Sequence, residues 1–195
     1  MVDKTTSGVP SKQDNFVLKK NISNKFNAMI NDTLLEQKRI LLIRKSELET
    51  WGIEQQKEFK NIFGISDEKA RAWILTGVND MLKLNEKLRS ENFRPVNENV
   101  HASVNKTQID NFIIDIGKKF KGDKMTGKDS RVSTFCHEMS HYGFILNSED
   151  MTPNNQDPEK TSPVQFQKNA NELVSTGSQK VMQNAYNIER YFEIK

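Results

Sequence analysis

The stretch Ser133-Thr134-Phe135-Cys136-His137-Glu138-Met139-Ser140-His141 constrains this chain more than any other. Val132, Phe135, Cys136 and Met139 recur at i, i+3, i+4 and i+7, the period of a helix with one face in a core. Positions four apart on a helix share a face, so His137 and His141 stand together, away from that stripe. Such a helix needs a packing layer against its apolar side and a cleft along the other.

The flanking segments can supply both. From about Asn24 to Thr50, Phe26, Ile30, Leu34 and Leu41 recur at helical spacing, and Gly52 stops the segment. A shorter amphipathic piece with Phe59, Ile62 and Phe63 ends at Gly64. Ser66 reads as the N-cap of a further helix, in which Ile74, Val78, Met81 and Leu82 form one stripe running to about Arg89. After Pro95 the period changes. Val100, Ala102 and Val104 alternate with His101 and Ser103, and Phe112 to Ile116 is a compact β-prone run, so two strands are expected. Gly122 and Gly127 punctuate a loop, and the helix of the two histidines starts near Ser130. Prolines, asparagines and acidic residues between Leu146 and Pro163 predict a long irregular loop. Two helical segments, about 164–175 and 178–193, close the chain. The fold class is α+β: one domain, mostly helical, with a small β-sheet beside the histidine helix. Residues 1–20, rich in Lys, Ser, Thr and Asp, are expected to be a flexible N-terminal segment ahead of a domain at 21–195.

The chemistry follows from the spacing. Glu138 adjoins the two histidines and can reach a water on an ion they hold without being a ligand itself. This H-E-x-x-H arrangement is that of zinc metallopeptidases. Zn2+ acidifies the water and polarises the scissile carbonyl, while the carboxylate takes the proton and passes it to the leaving amine. The competing reading is a surface helix that happens to carry two histidines. The chain has 3 histidines in all, and two of them fall in this motif, which weighs against it. A catalytic zinc needs a third protein ligand and one open position. Gly143 lets the chain turn back after His141, and Asp150 is placed to return to the metal; Glu149 and Asp157 are less well placed. Glu172, which follows Asn171 on a downstream helix, is the other candidate.

With these residues in view the chain resembles the aspzincin peptidases, the deuterolysins and peptidyl-lysine metalloendopeptidases. Glu58-Phe59-Lys60-Asn61-Ile62-Phe63-Gly64 is similar to an early F-K-x-x-F-G segment of that family. Thr126-Gly127-Lys128-Asp129-Ser130 and the histidine helix resemble its lead-in and metal helix. Ala170 and Leu173 sit where the family has its A-R-x-L turn. Asn184-Ala185-Tyr186-Asn187-Ile188-Glu189-Arg190-Tyr191-Phe192-Glu193 is similar to its N-A-D-x-x-E-Y-F-A-E block. The likeness covers about residues 53–193. It implies a zincin-like fold, a zinc-dependent metalloendopeptidase activity on protein or peptide substrates, and Asp150 rather than Glu172 as third ligand, since Asn147-Ser148-Glu149-Asp150 occupies the place of the family's G-T-x-D. Pro153 stands where the family has a tyrosine that assists at the oxyanion, leaving Tyr142 or Tyr186 to substitute. The family's lysine-recognising carboxylates correspond to Glu189 and to the position of Tyr186. Both are therefore expected to bind substrate, with a preference for basic side chains, chiefly lysine. An ordinary surface partner for Lys or Arg is the alternative role for Glu189.

Composition narrows the rest. The 29 basic and 26 acidic residues are interspersed and leave a net charge of +3, which is no footprint for nucleic acid. No apolar run approaches the roughly 18 residues of a membrane span, so no membrane partner is expected. A single cysteine excludes an internal disulfide framework. Residues 1–20 lack an apolar signal core. Cytoplasmic synthesis without a signal peptide is the expectation, with a secreted toxin or effector exported by a specialised system, and a cognate inhibitor or immunity protein, as an extension of it. A catalytically weak zinc-binding module acting through protein interaction is the alternative function. Cys136 is expected to be a buried small hydrophobe, His101 a surface histidine, Trp51 and Trp73 core residues, and Asp129 with Ser130 the cap of the histidine helix.

Overall fold

The structure is a computed structural model that describes residues 12–106 and 112–194. The first helix, α1, spans Lys12–Thr50, so it begins before the expected Asn24 and takes in part of the expected N-terminal segment. The rest of that segment, residues 1–11, lies outside the described residues. Helix α1 ends where Trp51 takes a left-handed backbone at φ 47°, just ahead of Gly52. Helix α2, Ile53–Phe63, stops at Gly64, whose φ of 73° suits a residue without Cβ and lets its N–H cap Lys60 O. Helix α3 covers Glu68–Lys87 and is capped by Asp67, which accepts from Ala70 N–H, rather than by the expected Ser66. Ser66 lies one residue too early for its side chain to meet the first free amides of this helix.

Three short strands follow: β1 at Phe93–Pro95, β2 at Ala102–Val104 and β3 at Ile114–Ile116. They form one sheet in the order β1-β3-β2, with β1 parallel and β2 antiparallel to the central strand. The two expected strands are present, though shorter than their sequence runs. Phe112, with φ 44°, is outside β3. Strand β1 was not foreseen. Helix α4, Arg131–Ser140, is the histidine helix. A run of turns then leads to α5, Pro163–Ser175, and a 3-10 segment at Gln179–Gln183 precedes α6, Ala185–Tyr191.

Helices α1, α3, α4 and α6 surround one core. Ile30, Ile40, Leu41 and Leu48 of α1, Ile74, Val78 and Met81 of α3, and Val132, Phe135, Cys136 and Met139 of α4 are all buried in it. Trp51 packs against its edge, but Trp73 is 43% exposed, contrary to expectation. It adjoins the Ile74 stripe in sequence, a turn of 100° away on the helix surface. Two buried polar clusters cross this core. Gln37 accepts from Asn85 Nδ2 at 2.8 Å and reaches Met139 Sδ at 3.3 Å and Cys136 Sγ at 3.6 Å, linking α1, α3 and α4. Arg44, 1% exposed, pairs with Glu47 and Glu58, donates to Tyr191 O and lies 4.2 Å over the Tyr191 ring. It joins α1 and α2 to α6. Cys136 is inert in this setting, since burial pushes its thiol up to about 12.

Candidate metal centre

Helix α4 begins with a reciprocal cap. Ser130 accepts from Ser133 N–H while Ser133 Oγ accepts from Ser130 N–H. Asp129 does not share in it; at φ 49° its N–H instead donates to Glu193 Oε1 at 3.0 Å. With the Val132–Met139 stripe held in the core, the opposite face of α4 turns Thr134, His137 and Glu138 towards a cavity of about 720 Å³, and His141, at the end of the helix, lies beside His137. Strand β2 packs on that helix at the sheet edge, and the chain leading into it forms the far wall with Val100, His101 and Ala102.

The two imidazoles are oriented from behind. His141 Nδ1 lies 3.0 Å from Ser148 O, an atom that can only accept, so the proton is on Nδ1 and Nε2 is left as a lone pair. His137 Nδ1 lies 3.0 Å from Glu189 Oε2 in the same relation. This is the carboxylate–histidine arrangement that orients metal-ligating imidazoles. Asp150 Oδ1 then comes within 3.0 Å of His137 Nε2 and 3.8 Å of His141 Nε2. That oxygen is buried and meets no donor beyond these two ring nitrogens. Two imidazole nitrogens converging on one buried carboxylate oxygen are what a divalent cation requires, and two nitrogens with one oxygen suit zinc. The residues therefore fit the metal that the motif implies, and all three ligand atoms fall within 4.8 Å of one another.

The loop bearing Asp150 is tied down on two sides. Ser148 N–H donates to Ser140 O, and Lys106 Nζ donates to Ser148 O at 2.6 Å. The sharp reversal in this loop falls at Asn147, with φ 48°, rather than at Gly143. On its other side Glu149 exchanges backbone hydrogen bonds with the segment before α6: its N–H donates to Gln183 O at 2.9 Å, and Ala185 N–H donates to Glu149 O at 3.0 Å. Glu172 is exposed on α5 and takes no part in the group.

Electrostatics separate the roles. Burial pushes Glu138 up to about 7, with Asp150 and Glu189 adding to the rise, although His137 and the Val104 N–H oppose it. It is thus a carboxylate poised to exchange a proton near neutrality. Burial lowers His141 to about 4, helped by the neighbouring His137. Burial also works against charge on His137, but Asp150 and Glu189 outweigh it and raise its pKa well above the ordinary value. A proton and a metal ion therefore compete for His137 Nε2. Burial tends to raise Asp150, yet His137 holds it below the usual carboxylate range. Burial, followed by Asp150, Glu189 and Glu138, lifts the Tyr186 hydroxyl far above an ordinary phenol.

The other sequence candidates divide clearly. Tyr186 and Glu189 both line the cavity, and Glu189 is buried against His137 and Ser133 rather than lying on the surface. Tyr142 is fully buried among Phe112 and Phe144 and does not line the cavity, although its hydroxyl lacks a partner. His101 is paired with Asp123 at 2.6 Å on the cavity rim. Asp129, Glu189 and Glu193 bring three carboxylates together beside the cavity. Ser148, Lys106 and Ser133 were missed in the sequence; only their contacts reveal them. No helix among the described residues is long and apolar enough to cross a membrane.

No family profile and no curated protein matches the chain. Among solved structures it is similar to a zinc peptidase from Grifola frondosa, with a TM-score of 0.68 and 18% identity over 86% of this chain and 93% of that one. At that identity the likeness is one of fold: this chain has the α+β, zincin-like fold of a zinc peptidase.

Proposed function

We propose that the chain is a zinc-dependent metalloendopeptidase that hydrolyses peptide bonds in protein substrates. The observation that carries this reading is the convergence of His137 Nε2, His141 Nε2 and the buried Asp150 Oδ1, with Glu138 beside them and outside the ligand group. His137, His141 and Asp150 would hold the ion. Bound zinc supplies Lewis acidity towards the scissile carbonyl and acidifies the attacking water. Glu138 takes the proton of that water on its carboxylate and delivers it to the amide nitrogen as the C–N bond breaks. An extended peptide can run along β2, the sheet-edge strand packed on α4. A preference for basic side chains is supported by the carboxylates of Asp129 and Glu189 at the cavity wall, with Glu193 grouped beside them.

The test uses the whole chain. Zinc content by elemental analysis is expected to be about one ion per chain. An unfolded protein is expected to be cut by the wild type and not by Glu138→Ala, which should retain its zinc. Zinc retained without cleavage in the wild type would instead favour a binding module, a reading kept in view by Pro153 in the place of the family's tyrosine. Mapped cleavage sites without enrichment of Lys or Arg would remove the basic preference and leave the peptidase assignment intact.

A further inference from the structure

Attack on a peptide carbonyl places negative charge on its oxygen, and donors held at that oxygen account for large parts of the rate. Tyr186 meets the requirements of such a donor. It lies in the first turn of α6 and lines the cavity with His137, Glu138 and Asp150. Its ring meets His137 edge-on, with centroids 5.0 Å apart and planes at 85°, and lies flat against Phe166 at 4.8 Å and 13°. These two contacts hold the ring in one orientation, whereas its hydroxyl makes no hydrogen bond among the described residues. The backbone beside it is held as well. Ala185 N–H donates to Glu149 O, so Tyr186 and Asp150 each lie one residue beyond the same backbone pairing. Competing donors are poorly suited. Lys119 and Lys128 are exposed and long, and the Gln167 side chain is held towards Arg190, which donates twice to its Oε1.

We propose that Tyr186 is a catalytic residue, whose hydroxyl donates a hydrogen bond to the carbonyl oxygen of the peptide bond under attack. The proposal rests on the peptidase reading above. A hydroxyl on a residue that lines the cavity, with no partner among the described residues, is pre-organised: no bond has to be broken before it can serve the substrate.

The decisive variant is Tyr186→Phe, which keeps both ring contacts and removes only the oxygen. Its kcat on a peptide substrate is expected to fall about 100-fold with KM within about twofold, the pattern of an interaction made only in the transition state. Zinc content should stay at the wild-type level. A readout independent of turnover is calorimetric binding of a phosphinic peptide, whose tetrahedral oxygens imitate the charged centre. Its affinity is expected to fall by a similar factor, while an uncleaved peptide binds Glu138→Gln and the Glu138→Gln/Tyr186→Phe double variant equally. Unchanged kcat and phosphinate affinity in Tyr186→Phe would overturn the proposal. So would a raised KM at constant kcat, which would mark the residue as a wall for substrate. Both results require an active wild type, so they are distinct from failure of the peptidase reading, in which the wild type itself cuts nothing.

Discussion

At the scale of single residues, the site is made of groups that are poor neighbours until an ion joins them. Glu138 shows this most simply. Its folded pKa lies near 7 against an ordinary 4.5, so between these values the folded metal-free chain binds more protons than the unfolded one. Stability from this group is therefore greatest at low pH and falls as pH rises through that window, by on the order of 3 kcal/mol. Glu138→Gln should remove this dependence. Metal-free, it is expected to melt above the wild type at pH 8 and close to it at pH 5, as thermal unfolding at the two pH values would reveal. Glu189 acts through His137. Glu189→Ala leaves the imidazole free to rotate and is expected to weaken zinc binding about 10- to 100-fold in a chelator competition. The juxtaposition of His137 and His141 was legible in the sequence because helical spacing alone puts them together. Asp150 was legible only as one of two alternatives until a family likeness was added. The contact of Glu189 with His137 was not legible, because it joins positions 52 residues apart in sequence. No local pattern records such a pairing.

Among the elements, α4 could be read in advance to within a residue: its core stripe and the face that carries His137 both follow from one period, and Ser130 is its cap. Helix α3 was nearly as clear, though its cap is Asp67 and its Trp73 faces outward. Strand β1 escaped notice because it is three residues long, contains Pro95 and pairs only with Ile114–Ile116 further along. Such a strand is defined by its partner rather than by its own composition. The sheet is also sensitive where it supports the cavity rim. A Cβ on Gly117 would fall 2.1 Å from Val100 O, and Gly117 N–H bonds His101 O. Gly117→Ala is therefore expected to displace residues 100–102 and cost on the order of 2 kcal/mol of stability. Denaturant unfolding would measure that loss, and KM should rise with it, because the same residues line the cavity. Arg44 has the equivalent position among the helices. Arg44→Ala removes a buried side chain and leaves Tyr191 O without its donor, while Glu47 and Glu58 stay partly in water, and is expected to destabilise by about 2 kcal/mol.

For the whole molecule, the proposed metal would act as a ligand of the folded state. The three donors come from α4 and from the loop after it, and an unfolded chain does not hold them together. Zinc at about 100 times its Kd should add about 2.7 kcal/mol and raise Tm by about 5–10 °C, with the rise reversed by a chelator. The gain should shrink as pH falls, because His137 Nε2 takes up a proton in place of the ion.

The backbone pairing of Glu149 with Gln183 and Ala185 reaches beyond the local turn. It acts as a seam, with Asp150 on one side and Tyr186 on the other. On the roles proposed for these two residues, ion affinity and handling of the substrate carbonyl would be mechanically coupled. Glu149→Pro, which removes the N–H bonded to Gln183 O, should therefore lower both properties in step.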